Sequence, residues 1–267
     1  MIRLNDFLDK LSIIKVLSFF LLIILVFTLI PMVFKIHLGS LFFKFILYGI
    51  MLLFFAYELN KIDFDEISFK AALRKEYDSI FKVSDICHIS FIVIANILFV
   101  SAVYFILRYL SHLSIIHFNS PLFGDFRALG IAILVLYLFT VVILSPIIEE
   151  LLFRGLFLRR FNKELNVTSA ILISSVLFGI CHNFGGILGA ILFGICVSIL
   201  YIKSKNILAP IFAHFLNNLL SFLLALSGVE YLIKSNLIII FLIIILAIVS
   251  NFVLFKAIFS EWPESME

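Results

Sequence analysis

At 267 residues the chain has room for one large or two ordinary globular domains, but 64% of it is hydrophobic and only 14% charged, against roughly 45–50% and about 25% in soluble domains. A mean hydropathy of +1.23 leaves too few polar side chains to cover a water-facing surface, so most of the exterior must meet lipid. The same arithmetic excludes a disordered chain, a collagen and a secreted disulfide scaffold. Twenty basic against 17 acidic residues, a net +3, give no electrostatic footprint for a nucleic-acid partner. Cys87, Cys181 and Cys196 are odd in number and lack metal-type spacing, so they read as buried free thiols.

In chain order, Met1–Lys15 sets Ile2, Leu4, Phe7, Leu8 and Leu11 among Asn5, Asp6, Asp9 and Lys10, the pattern of a short interfacial helix. Crossing a ~30 Å hydrocarbon core takes about 20 mainly apolar residues. Eight stretches meet that test: 13–34, 40–58, 89–110, 129–160, 167–182, 186–203, 206–226 and 237–259. The first is too long for a signal-peptide core, and no small-residue cleavage site follows Pro31. The fourth is too long for one straight crossing, and Pro146 inside it predicts a kinked, broken or tilted helix. The fifth is short, which predicts an end buried in protein.

Loop charges orient the bundle by the positive-inside rule. With the N-terminus (Arg3, Lys10, Lys15) in the cytoplasm, the inner loops hold Lys61, Lys70, Arg74, Lys75 and Lys82, then Arg159, Arg160 and Lys163, then Lys203 and Lys205. The outer ones hold Lys35, Arg127 and Lys234, with Arg108 near a helix end. The expected architecture is therefore an all-α, polytopic membrane helix bundle of about eight transmembrane helices with both termini cytoplasmic. It divides into helices 1–3 over 1–128, with a mixed-charge cytoplasmic loop at 59–88, a core over 129–226, and a last helix and tail over 227–267. No internal repeat is visible.

Charged groups inside spans cost at least ~2.5–3.5 kcal/mol each on insertion scales, and here almost all lie between Ile148 and Asn218, in three clusters. The first is Glu149, Glu150 and Arg154, after Pro146. Neighbouring helical positions point about 100° apart, so the two carboxylates cannot face one point. Glu150 and Arg154, four apart, stack on one face. Arg154 then holds Glu150 and leaves Glu149 unpaired in the interior, a candidate proton acceptor; a structural ion network is the competing reading. The second is Phe178 and His182, again four apart, with Gly179 permitting close helix approach. The third, His214 and Asn218, follows Pro210 and offers two neutral donors on one face, suited to an oxyanion in a dry site or to interhelical glue. Gly185, Gly186, Gly189, Ala190 and Gly194 form small-xxx-small patterns that make the sixth span a packing wedge between the fifth and seventh.

These residues resemble the CPBP family, the CAAX-processing and bacteriocin-processing (Abi-type) membrane proteases. Its pattern is Glu-Glu-x-x-x-Arg, then Phe-x-x-x-His, then His-x-x-x-Asn/Asp, met here by Glu149, Glu150 and Arg154, by Phe178 and His182, and by His214 and Asn218 across roughly 130–225. The resemblance implies an intramembrane endopeptidase acting on a membrane-associated peptide or protein, in a multi-pass protein of a bacterial plasma membrane. Glu149 would activate a water with help from His182, His214 and Asn218 would stabilise the oxyanion, and Glu150, Arg154 and Phe178 would support the site. The resemblance requires no cofactor. A zinc set of Glu149, His182 and His214 is conceivable, but three separate helices without His-Glu-x-x-His spacing favour a metal-free reading.

Two other classes compete. Intramembrane Glu and His also mark proton- or ion-coupled transporters, though one polar cluster without inverted repeats argues against a transport file. A non-catalytic immunity or scaffold protein would keep the fold and dispense with the chemistry. One feature sits awkwardly: Glu149 lies about ten residues, ~15 Å of rise, from the cytoplasmic Arg159, whereas His182 ends a span that starts inside. Convergence requires the fifth span to start deep, tilt or stop short.

Overall fold

The computed structural model describes residues 8, 10–34, 39–61, 74, 83–123 and 126–266, and its regular elements are all helices. They are α1 (Ile13–Phe34), α2 (Ser40–Lys61), α3 (Val83–His112), α4 (Ile131–Glu164), α5 (Val167–Ile180), α6 (Ile187–Ser204), α7 (Leu208–Ser227), the short α8 (Val229–Lys234) and α9 (Leu237–Ser260). Each of the eight expected stretches is helical. Among the described residues six, in α2, α3, α4, α6, α7 and α9, are long and apolar enough to cross a membrane; Ile13–Leu29 and Val167–Ile180 are shorter apolar helices. A polytopic helical bundle is thus what the chain forms, with six of the eight stretches meeting the length and composition of a crossing. The expected interfacial segment and the 59–88 loop fall mostly outside the described residues, though Leu8 and Leu11 are buried.

Lipid-facing composition explains the outer helices. In α9, Leu237, Phe252 and Phe259 are 81%, 72% and 78% exposed, so this helix is wrapped in apolar side chains that water would not tolerate. Its one polar anchor is Asn251, buried, whose amide donates to the Ala95 carbonyl of α3 at 3.2 Å. Such a bond replaces the hydrophobic drive that lipid does not supply between helices.

The inner helices close on glycine. A Cβ on Gly179 of α5 would lie 2.3 Å from Ile191 Cγ1, and one on Gly194 of α6 would lie 3.0 and 3.1 Å from Ser175 Cβ and Cα. These two positions let α5 and α6 touch backbone to backbone. Gly189 faces Val100 of α3 instead, so α6 wedges against α3 as well as α5 and α7. Of the cysteines only Cys196 is buried; Cys87 and Cys181 are exposed, Cys181 because it follows the last residue of α5.

Pro146 does not break α4. The helix runs on through it by widening: Leu138–Leu144 and Leu151–Leu158 are π-helical and flank an α-helical turn at Ser145–Glu150 with Pro146 in its first turn. The Ser145 amide donates to Thr140, five residues back. Wider turns absorb the missing proline N–H, and π-segments of this kind recur at functional sites. The awkward depth of His182 is resolved by α5, whose 14 residues rise only about 21 Å. The helix stops short.

Candidate active site

Three helices deliver the expected side chains. The turn Ser145–Glu150 of α4 presents both carboxylates, and Glu150 pairs with Arg154 four residues on at 2.9–3.0 Å, both side chains fully buried. Arg154 is fixed from two further sides, donating to the Gly194 carbonyl at 3.2 Å and lying 4.6 Å over the Phe178 ring. Phe178 is itself buried, with the rings of His182 and His214 at 4.7 and 5.5 Å. Its ring packs against the guanidinium and against both imidazoles.

His214, almost fully buried on α7, has its Nδ1 2.8 Å from Glu150 Oε1 and its Nε2 4.0 Å from Glu149 Oε2. A carboxylate ion-paired to arginine only accepts, so in the neutral ring Nδ1 carries the hydrogen and Nε2 offers its lone pair to Glu149. His182 has the same polarity. Its Nδ1 is 2.9 Å from the Phe178 carbonyl, which only accepts, so Nε2 is again the open acceptor. Glu149 and His214 both act on His182 electrostatically.

Glu149 departs from expectation. It is not unpaired: Oε1 accepts from the Tyr48 hydroxyl at 2.7 Å and from the Ser145 hydroxyl one turn back. Two neutral donors hold one oxygen and leave Oε2 toward His214. Asn218 also differs from a simple oxyanion donor. Its amide donates to the Val141 carbonyl at 2.8 Å, and five residues beyond Val141 stands Pro146, with no N–H to give. Asn218 therefore caps a carbonyl that the proline leaves without its π-helical partner. From there an amide chain continues, Asn217 donating to Asn218 at 3.5 Å and Asn96 of α3 to Asn217 at 3.1 Å.

Sequence reasoning thus missed Tyr48, Ser145, Asn217 and Asn96. Ser145 and Asn217 carried a signal, one lying four residues before Glu149 and the other beside Asn218. Tyr48 and Asn96 carried none, since their partners are 101 and 121 residues away. Among the described residues no three His, Cys, Asp or Glu side chains lie close enough together to hold a metal ion. Of the six ring nitrogens and carboxylate oxygens of His182, His214 and Glu149, three are committed, to Phe178, to Glu150 and to Tyr48 with Ser145; Nε2 of each ring and Oε2 of Glu149 stay open.

Residues 130–220 match the family model described as Type II CAAX prenyl endopeptidase Rce1-like. That span contains all three motifs. Over this core the chain is similar to the CPBP-type proteins. A Bacillus subtilis (strain 168) protein named "Putative membrane peptidase YdiL" is 39% identical over 77 residues, 28% of this chain and 32% of that protein. The chain thus matches about a third of that relative's length. No solved structure matches it. The CPBP-type core comprises α4 to α7, and the structure adds to it Tyr48 from α2 and Asn96 from α3, both outside the matched span.

Proposed function

We propose that the protein is a membrane endopeptidase that hydrolyses a peptide bond of a membrane-associated peptide or protein, with a water activated by Glu149, His182 and His214. The observation that carries this reading is the 4.0 Å separation of Glu149 Oε2 from His214 Nε2. Two acceptors that far apart, each hydrogen-bonded to one water at about 2.8 Å, subtend about 90° at its oxygen. That is close to the angle between the two hydrogens of a water molecule. The pair therefore grips a water by both hydrogens and turns its lone pair outward.

The chemistry follows. As the water oxygen bonds to the scissile carbonyl carbon, its proton passes to the Glu149–His214 pair. Protonated at Nε2, His214 becomes a donor beside the new oxyanion, where the second amide hydrogen of Asn218 joins it. Collapse breaks the C–N bond, and the stored proton leaves with the amine. Glu150 keeps His214 in the productive tautomer, as carboxylates do for catalytic histidines, while Arg154 keeps Glu150 charged. His182 adds a second lone pair at the water. No metal enters the scheme, and on the loop charges we place both termini on the cytoplasmic side of the membrane.

The test compares the membrane proteomes of cells carrying wild-type protein and Glu149→Gln. Substrates should accumulate uncleaved in the variant, and the purified protein should cleave them at the same bond. Unchanged cleavage in Glu149→Gln, or about one zinc per chain lost together with activity, would end the metal-free glutamate mechanism.

A further inference from the structure

The Val141 carbonyl, left without an amide partner by Pro146, gives direction to a run of side chains that reaches α3. A carbonyl only accepts, so the Asn218 atom 2.8 Å from it is the amide nitrogen. That turns Asn218 Oδ1 toward Asn217, whose own nitrogen must be the atom 3.5 Å away. Asn217 Oδ1 in turn faces Asn96 of α3, which meets it with its nitrogen at 3.1 Å. Each carboxamide thus fixes which end the next one shows. We infer that Asn96 and Asn217 are positioning residues for Asn218, holding its second amide hydrogen toward the oxyanion. Their effect on rate rests on the proposed hydrolysis; the chain itself rests on the hydrogen bonds alone.

An asparagine needs such help. Its last side-chain torsion is broad and roughly two-fold, so a single bond to Val141 leaves the amide plane free to swing. Bonds at both Nδ2 and Oδ1 fix it. Reversed, Asn218 would show its oxygen to the Val141 carbonyl and to the oxyanion, and both would repel it.

The far end of the chain is held by packing. Asn96 is only 5% exposed, and a Cβ added to Gly189 would lie 3.8 Å from its Oδ1, so α6 closes on that side of the carboxamide. Its Oδ1 has no partner among the described residues, which leaves the donation to Asn217 as the bond Asn96 contributes. Asn251 of α9 supplies a matched contrast. It is as buried and has an equally unmatched Oδ1, but its amide donates to the Ala95 and Ala247 carbonyls and stays outside the chain.

The experiment uses the full-length protein in mixed detergent micelles, with the substrate bond that the proteomic comparison yields. Asn96→Leu keeps the shape and removes the donor together with the unmatched acceptor, so its unfolding equilibrium constant should stay within about five-fold of wild type. Its kcat should nevertheless fall about 10-fold with KM within about two-fold, as expected for a displaced transition-state donor. Asn217→Ala, which breaks the chain in its middle, should lower kcat at least as much. Asn251→Leu should leave kcat within about two-fold of wild type. A double-mutant cycle by equilibrium unfolding needs no substrate. Asn96→Leu and Asn218→Ala, whose side chains are linked only through Asn217, should couple by at least about three-fold in the unfolding constant, while Asn251→Leu and Asn218→Ala add. An additive Asn96–Asn218 cycle would overturn the chain. Unchanged kcat in both Asn96→Leu and Asn217→Ala, or an equal loss in Asn251→Leu, would overturn the positioning role. Full cleavage by Glu149→Gln would instead end the hydrolytic reading, and the unfolding cycle alone would then decide the chain.

Discussion

Arg154→Met is the substitution whose consequence the structure defines most closely. Both members of the Glu150–Arg154 pair are wholly buried, and removing one partner strands the other charge in the bundle, at a cost of about 3–5 kcal/mol. Loss of the cation from the Phe178 face adds about 0.5–2 kcal/mol. The Gly194 carbonyl adds little, because Ser198 Oγ still donates to it at 2.7 Å. The expected destabilisation is therefore about 4–6 kcal/mol. Glu150→Gln/Arg154→Met removes the stranded charge and keeps an oxygen that accepts from His214 Nδ1, so its loss should fall to about 1–2 kcal/mol. Equilibrium unfolding of both variants in mixed detergent micelles measures the difference. A single variant within about 1 kcal/mol of wild type, or a double variant as unstable as the single, would show that Arg154 does not neutralise a buried Glu150.

Glu149→Ala and His182→Ala should abolish cleavage of whatever substrate the proteomic comparison yields, and Tyr48→Phe, which removes one of two donors to Glu149, should slow it about 10-fold with stability changed by about 1 kcal/mol. Asn218→Ala should lower the rate about 10²–10³-fold and also destabilise by about 1–3 kcal/mol, because Val141 loses its donor; a rate effect without a stability effect would refute its capping role. Gly194→Ala puts a methyl 3.1 Å from the Ser175 backbone, which cannot swing aside, and should cost about 1–3 kcal/mol in the same unfolding assay. In the short helix α8, burial opposes ionisation of Glu230, but bonds from Lys234 and from the Phe123 and Leu122 amides outweigh it and hold the carboxyl below its usual range. Its contribution is complete above the ordinary glutamate pKa of about 4.3 and is lost as pH falls through the lowered native value. Hydrogen exchange at Leu122 and Phe123 should accelerate only in that acid window.

What the sequence made legible was local. Glu150 with Arg154, Phe178 with His182, and His214 with Asn218 are each four apart, and helical spacing alone places each couple on one face. The burial of Glu150, Arg154, Phe178 and His214 inside an apolar bundle followed from the cost of leaving such clusters in lipid. Two things were not legible. Pro146 read as a kink, break or tilt because proline removes one amide, whereas the helix recruits wider turns and the side chain of Asn218, 77 residues away, to satisfy what is lost. Tyr48 read as one more aromatic in an apolar span, because nothing local marks a hydroxyl that meets its partner only after α2 packs on α4.

The adjacent carboxylates show how one sequence step separates structure from chemistry. A rotation of about 100° turns Glu150 into a dry interior where a guanidinium matches its charge, and the same rotation turns Glu149 toward neutral donors and an imidazole lone pair. A fixed counter-ion makes Glu150 a permanent acceptor, and so it sets the hydrogen of His214 on Nδ1. With Nδ1 committed, Nε2 is left as an acceptor facing Glu149, and two acceptors 4.0 Å apart have a use for one water between them. Exchanging the neighbours would undo this. An arginine beside Glu149 would compete with the water for its oxygen, and a Glu150 without arginine would no longer dictate the tautomer. On the proposed mechanism the order Glu-Glu-x-x-x-Arg thus carries information that composition alone does not: which acid is held, and which is left to act.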